Sequence, residues 1–179
     1  MAEPALQIRP ALEPDATAVA TIYAHHVAHG TASFDTEPRS EEETAARIAQ
    51  CEAKGWPFLV AARDGRVVGY ASATQFRDRP AYSSTCENSL YVAPGNMGQG
   101  IGTRLLSSLV EACERAGFRQ MIAVVGGAEP ASIAIHLKAG FREAGRMKSV
   151  GRKHGRWLDT VYLQLALGVG DGRPPEVEP

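Results

Sequence analysis

Along this chain the spacing of apolar positions switches repeatedly between a period of two and a period near 3.6, and each switch marks an element. Residues 6–9 read as a short first strand. After Asp15, the positions Val19, Ile22, Tyr23, His26 and Val27 share one face of a helix that ends at Gly30. A loop over residues 31–38 follows. Ser40 with Glu43 three places on forms a capping box that opens a second helix, which Gly55 stops. Residues 58–63 and 67–76 read as strands joined by Asp64-Gly65, a tight hairpin signal. Residues 76–82 leave the sheet as a loop, and residues 85–92 return as the next strand. Leu105, Leu106, Leu109, Val110 and Cys113 fall at helical spacing, residues 121–125 form a buried strand, and a helix runs from Pro130 to Gly140. Residues 141–150 and 156–165 close the chain as a second hairpin. This order predicts a single α/β domain with a mixed, mostly antiparallel sheet flanked by helices.

The most informative stretch joins the fourth strand to the third helix. Leu90 to Val92 runs into Pro94-Gly95, and glycines then occupy positions 98, 100 and 102 as the helix begins. The first amides of a helix have no intrahelical acceptor and sit at the positive end of its dipole. Glycines leave that backbone bare, so a phosphate is the natural guest. Two nucleotide motifs fail on the residues. A dinucleotide fingerprint would need a glycine or alanine where Thr103 stands, and a P-loop would need Lys-Ser/Thr where Ile101-Gly102 stands. A plain glycine-rich turn is the alternative reading.

Composition narrows the classes. In 179 residues, 44% of them hydrophobic, there is enough apolar material for one domain with its own core. A net charge of -1 gives no basic field for nucleic acid or an anionic membrane. No apolar run approaches the roughly 20 residues of a membrane-spanning helix, and residues 1–5 do not open a secretory signal. Cys51, Cys86 and Cys113 are odd in number and far apart, as expected of reduced thiols in a cytoplasmic protein. His25 and His29 lie one turn apart, without an evident third ligand, so no metal site is expected. The expected organisation is a flexible N-terminus over residues 1–5, one domain over residues 6–166, and a disordered tail over residues 167–179, rich in glycine and proline.

The strand, glycine run and helix together resemble motif A of the GNAT superfamily of acetyl-CoA-dependent N-acetyltransferases. The usual Arg/Gln-x-x-Gly-x-Gly/Ala reads here Met97-Gly98-Gln99-Gly100-Ile101-Gly102, with Met97 in place of the polar first residue. Four further blocks, residues 31–40, 76–82, 131–136 and 155–159, resemble the phosphinothricin and methionine sulfoximine acetyltransferases of that superfamily. The resemblance spans about residues 6–166. It implies the GNAT fold and acetyl transfer from acetyl-CoA to a small amine. It also implies a homodimer, while the charge balance already argues against nucleic acid or a membrane as partner.

The same resemblance assigns roles. Glu87 is the expected general base, and two-residue spacing sets it on one face with Tyr91 if no bulge intervenes. Its alternative is a strand carboxylate that merely pairs with an arginine. His136 stands where family members carry a residue proposed to protonate departing coenzyme A. Its alternative is a histidine that only hydrogen-bonds a neighbour. Backbone groups of Leu90, Tyr91 and Val92 are expected on the pantetheine and thioester. The amides of Gly98, Gln99, Gly100, Ile101, Gly102 and Thr103 are expected on the pyrophosphate, with Ser132 as a further contact. Glu129 replaces the asparagine common in the family. For the acceptor, Arg77 and Arg79 offer guanidinium forks to its anionic groups, Phe34 and Tyr82 an apolar lining, and Lys153 an approach from the last hairpin. His154 and Trp157 belong to that hairpin too, Trp157 as core or dimer interface. A protein or peptide acetyltransferase and a non-catalytic acetyl-CoA-binding module are the rival readings.

Overall fold

Seven strands and four helices form in the expected order in the computed structural model, which describes residues 5–175. Residues 1–4 of the expected flexible N-terminus and residues 176–179 of the expected tail lie outside the described residues. The strands are β1 (Gln7–Pro10), β2 (Phe58–Arg63), β3 (Arg66–Gln75), β4 (Thr85–Val92), β5 (Gln120–Gly126), β6 (Arg142–Lys153) and β7 (Arg156–Ala166). The helices are α1 (Ala16–His29), α2 (Glu41–Ala53), α3 (Ile101–Arg115) and α4 (Pro130–Lys138). The capping box at α2 is complete: the Ser40 hydroxyl accepts from the Glu43 amide at 3.2 Å, and the Glu43 carboxylate accepts from the Ser40 amide at 2.8 Å. At the β2–β3 turn, Asp64 and Gly65 both take positive φ, as a two-residue hairpin of this twist requires.

Period-two alternation sorts the strand residues to two layers. Phe58, Val60 and Tyr70 pack under α1 and α2 with Val19, Ile22, Tyr23 and Ile48. Leu59, Ala61 and Ala71 face the other way, under α3, with Ile101, Leu105, Leu106 and Leu109. The sheet therefore buries both faces. That core reaches past the expected domain end. Leu167 is fully buried and its amide donates to the Arg119 carbonyl at 2.9 Å, so the start of the expected tail is packed against the sheet.

The strand order is β1-β2-β3-β4-β5-β7-β6. Every pair is antiparallel except β4 with β5, which run parallel and pair only from Thr85↔Gln120 to Asn88↔Ala123. Beyond Asn88, β4 keeps its pairing with β3 as far as Val92↔Gly69, while β5 keeps its pairing with β7 as far as Gly126↔Thr160. The sheet forks there. Residues 89–92 turn one row of backbone amides and carbonyls toward the gap, without a strand to receive them.

Candidate active site

Two cavities meet at the fork. One, of about 590 Å³, runs between α1, the end of β4, the glycine run and the start of α4. The other, of about 270 Å³, lies deeper, between α1, α2, the loop after α1, β4, β5 and α4. Ala32, Leu90, Tyr91 and Ser132 line both, so they form one continuous cleft with β4 as its floor.

The outer groove has the chemistry of an anion site. Gly98 and Gly100 each take φ of 76°, and a Cβ built on either meets nothing within 4 Å, so the run is bare and open. Gly100 caps α3 in that left-handed conformation, and the first α3 amide to find a helical acceptor is Arg104, on the Gly100 carbonyl at 3.1 Å. The amides of Ile101, Gly102 and Thr103 therefore stay free at the helix mouth. Gly98, Gly100, Ile101, Gly102, Thr103, Glu129 and Ser132 all line the groove, with Leu90, Tyr91 and Val92 along its floor. Gln99 departs from the expectation in its side chain. Its carbonyl accepts from Arg63 at 2.7 Å and its amide donates to the Gly95 carbonyl at 3.1 Å, which braces the loop and leaves only its backbone for a ligand. His25 and His29 sit with ring centroids 4.7 Å apart and line the groove as well, while His26 Nε2 meets the Val92 carbonyl at 2.8 Å.

The inner cavity is lined by titratable groups. β4 carries no bulge against β3, so Glu87 and Tyr91 do share a face. Burial pushes the Glu87 carboxyl above its ordinary value, and the positive charges of Arg77 and Arg47 oppose the rise. Arg77 is the arginine that Glu87 meets, at 3.8 Å, with the Arg77 side chain about half exposed and that of Glu87 about one-third exposed, so this is a long, solvent-screened pair. Above it stand three tyrosines, with Tyr23 and Tyr70 ring centroids 5.2 and 5.4 Å from Tyr91. Burial raises all three phenols, which stay neutral hydrogen-bond donors. Tyr23 donates to the Asp35 carboxylate and lies 2.9 Å from the Ser33 hydroxyl.

His136 is hydrogen-bonded at both ring nitrogens. Its Nε2 lies 2.9 Å from Asn88 Nδ2 and its Nδ1 lies 2.7 Å from the Ser132 carbonyl. With the Asn88 amide nitrogen donating to Nε2 and the Ser132 carbonyl accepting from Nδ1, the arrangement suits a neutral ring protonated on Nδ1. An imidazolium would set N–H against N–H. Burial lowers its pKa from the usual 6.5 in the same direction, with the Ser132 bond opposing. These contacts match the hydrogen-bonding alternative. A proton-poor native histidine makes stability fall as pH drops below about 6.5, because the unfolded chain takes the proton first. Thermal melts of His136→Gln are expected to start lower by about 1–3 kcal/mol at pH 7.5 and to show a shallower loss between pH 7 and 5. An unchanged slope would exclude this assignment.

The acceptor residues divide. Phe34 lines the inner cavity. Gly151 lets its ring in: a Cβ there would sit 2.1 Å from Phe34 Cε2. Arg77 touches Glu87, but its guanidinium lies over the Phe76 ring at 4.1 Å and it does not line the cavity. Arg79 and Tyr82 lie outside it altogether. A short 3₁₀ turn at Pro80–Tyr82 carries them outward, Arg79 offering its carbonyl to Gln75 Nε2 at 2.9 Å and Tyr82 packing edge-on against Phe76. Lys153 is buried behind the wall instead of in the cleft. Its ammonium donates to the Ser33 carbonyl at 2.8 Å, tying the last hairpin to the loop that roofs the cavity. His154 approaches the Gly30 carbonyl at 3.3 Å, and Trp157 is 62% exposed, which removes it from the core. The cations that do line the cavity, Arg39 and Arg47 of the α2 region, were not anticipated, nor were Tyr23, Tyr70 and Asn88.

A forked sheet, a bare helix mouth and a part-buried carboxylate share one cleft, and the chain belongs to the GNAT acetyltransferase family. The model of that family's acetyltransferase domain matches residues 8–162. Phosphinothricin N-acetyltransferase of Alcaligenes faecalis is 47% identical over 177 residues, 98% of this chain and 90% of that protein. The L-methionine sulfoximine/L-methionine sulfone acetyltransferase of Salmonella typhimurium is 38% identical over 90% of this chain and 95% of its own length. The crystal structure of a phosphinothricin acetyltransferase from Sinorhizobium meliloti in complex with AcCoA superposes with a TM-score of 0.93 at 46% identity, covering 95% of this chain and 92% of that one.

Proposed function

We propose that this protein transfers the acetyl group of acetyl-CoA to the primary amine of a small amino-acid-like acceptor of the phosphinothricin or methionine sulfoximine type. The observation that carries the reading is the single cleft, with free helix amides at one end and Glu87 at the other. The diphosphate of acetyl-CoA lies on the amides of residues 98–103, its pantetheine along residues 90–92, and its thioester at the junction of the two cavities. The acceptor enters the inner cavity. Its ammonium gives a proton to Glu87, directly or through one water, and the freed lone pair forms the C–N bond at the thioester carbonyl carbon. The tetrahedral oxyanion collapses, the C–S bond breaks and coenzyme A departs as a thiolate, while the new amide nitrogen gives up its second proton to that thiolate or to water at the mouth of the cleft. A thiol with a pKa of about 8.5 leaves near neutrality without an obligatory acid, so His136 serves as a positioning residue for Asn88.

The reading includes a homodimer and a cytoplasmic location. For the first, β6 is an edge strand exposed along most of its length, and Met147, Val150 and Trp157 of the same hairpin are exposed apolar side chains. For the second, Cys51, Cys86 and Cys113 are buried free thiols.

Thiol release from acetyl-CoA, followed with phosphinothricin, methionine sulfoximine, free amino acids and a peptide panel, tests the reading. Turnover is expected with the glutamate-like acceptors. Release with peptides alone, or acetyl-CoA binding without release to any amine, would replace it by one of its rivals.

A further inference from the structure

Four arginines stand near the cleft; two are already paired and a third lies outside it. Arg39 pairs with Asp35 at 3.3 Å and lies 4.4 Å over the Tyr23 ring. Arg77 pairs with Glu87 and stacks on Phe76. Arg79 faces away from the cavity. Arg47 differs from all of them. It is half-buried, it lines the inner cavity, and among the described residues it joins no ion pair and no side-chain hydrogen bond. A half-buried guanidinium loses hydration, and although the Glu87 charge attracts it, its hydrogen-bond donors stay unmatched until an anion arrives.

Its placement follows from α2. Thr44, Ile48 and Cys51 are the buried stripe of that helix, and Arg47 sits beside the stripe, one turn after Thr44. The helix thereby holds the guanidinium over the sheet face that carries Glu87 and Tyr91, close enough for its charge to act on the Glu87 carboxyl. Any α-amino acid whose nitrogen reaches Glu87 carries its α-carboxylate two bonds from that nitrogen. The Salmonella relative is named for both methionine sulfoximine and methionine sulfone. What those two acceptors share with phosphinothricin is the α-amino carboxylate, since the sulfone side chain bears no charge.

We propose that Arg47 is the anchor of the acceptor's α-carboxylate, selecting α-amino acids and presenting their nitrogen to Glu87; this rests on the acetyl-transfer reading above. A guanidinium fork donates two parallel hydrogen bonds to a carboxylate, which fixes direction as well as position. With the carboxylate held on the α2 side, the α-nitrogen points to the β4 floor and the side chain extends toward Phe34.

The test compares L-methionine sulfoximine with its α-carboxamide, which keeps the amine and side chain and removes the anion. Wild type is expected to prefer the acid. Arg47→Gln is expected to raise KM for the acid about 10- to 100-fold, to change KM for the carboxamide less than about threefold, and to leave KM for acetyl-CoA unchanged. Arg47→Lys, which keeps the charge but loses the fork, should fall between. An Arg47 that acted only through the charge state of Glu87 would slow acid and carboxamide alike and shift the pH profile of both. Equal losses on the two acceptors, or a wild type indifferent to the carboxylate, would overturn the anchor while leaving acetyl transfer intact. A wild type that acetylates no α-amino acid at all would overturn both.

Discussion

Glu87→Gln is expected to lower kcat/KM for the amine acceptor about 10²- to 10⁴-fold at neutral pH, with little change in KM for acetyl-CoA. Glutamine keeps the size of the side chain and its place on the β4 face, so what is lost is the capacity to take a proton. The wild-type pH profile should show an acidic limb above the ordinary glutamate value of 4.5, because burial raises the Glu87 pKa. Arg77→Ala removes a charge that opposes the rise and should move that limb further up. The limb should vanish in Glu87→Gln. Stability should change in the opposite direction to activity. A carboxyl whose pKa is raised by folding binds more protons in the native state between its unfolded and folded values, so its charged form costs stability at neutral pH. Glu87→Gln should therefore melt no lower than wild type, as expected when a site holds an unfavourable group for its chemistry. Full turnover by this variant across the pH range would end the base assignment.

The second large effect belongs to the helix mouth. Gly98→Val with Gly100→Val is expected to weaken acetyl-CoA binding about a hundredfold, measured by calorimetry, while the acceptor's KM changes little at saturating acetyl-CoA. Both glycines hold φ of 76°. A side chain in that region costs roughly 1–2 kcal/mol per residue, so the variant loop relaxes to another shape and must recover this one on binding. Open space around both positions means that the loss arises from backbone conformation rather than from collision with the protein. Unchanged affinity would show that the diphosphate is held elsewhere.

Much of this was readable from the chain because the signals are local. The Ser40–Glu43 box, the Asp64-Gly65 turn and the glycine run each act over four to seven residues, and each stands where its chemistry demands. Glu87 was readable because β4 is regular and its alternation is preserved. The acceptor contacts were not, since they depend on which segments fold over β4. Arg77 and Arg79 are near Glu87 in the chain fold of the β3–β4 connection, yet the turn at Pro80–Tyr82 points Arg79 away. Arg47 comes from α2, forty residues before Glu87, and Arg39 from the loop just ahead of that helix; both arrive only because α2 packs on the sheet face that carries Glu87. A helical projection placing Arg47 beside Thr44, Ile48 and Cys51 was the available clue. For Asn88 it was alternation: a polar residue between Cys86 and Leu90 on an inward face requires a partner, and His136 supplies it.

The fork between β4 and β5 has a consequence for how the guest is received. Residues 89–92 have a zipper open on one side only, already registered against β3 on the other. A long thin molecule with amide groups of its own can slot in as a surrogate eighth strand, meeting donors and acceptors that folding has already aligned. Recognition by such insertion asks for no hinge and no closing flap, and the cost of ordering the receptor has been met before the guest arrives.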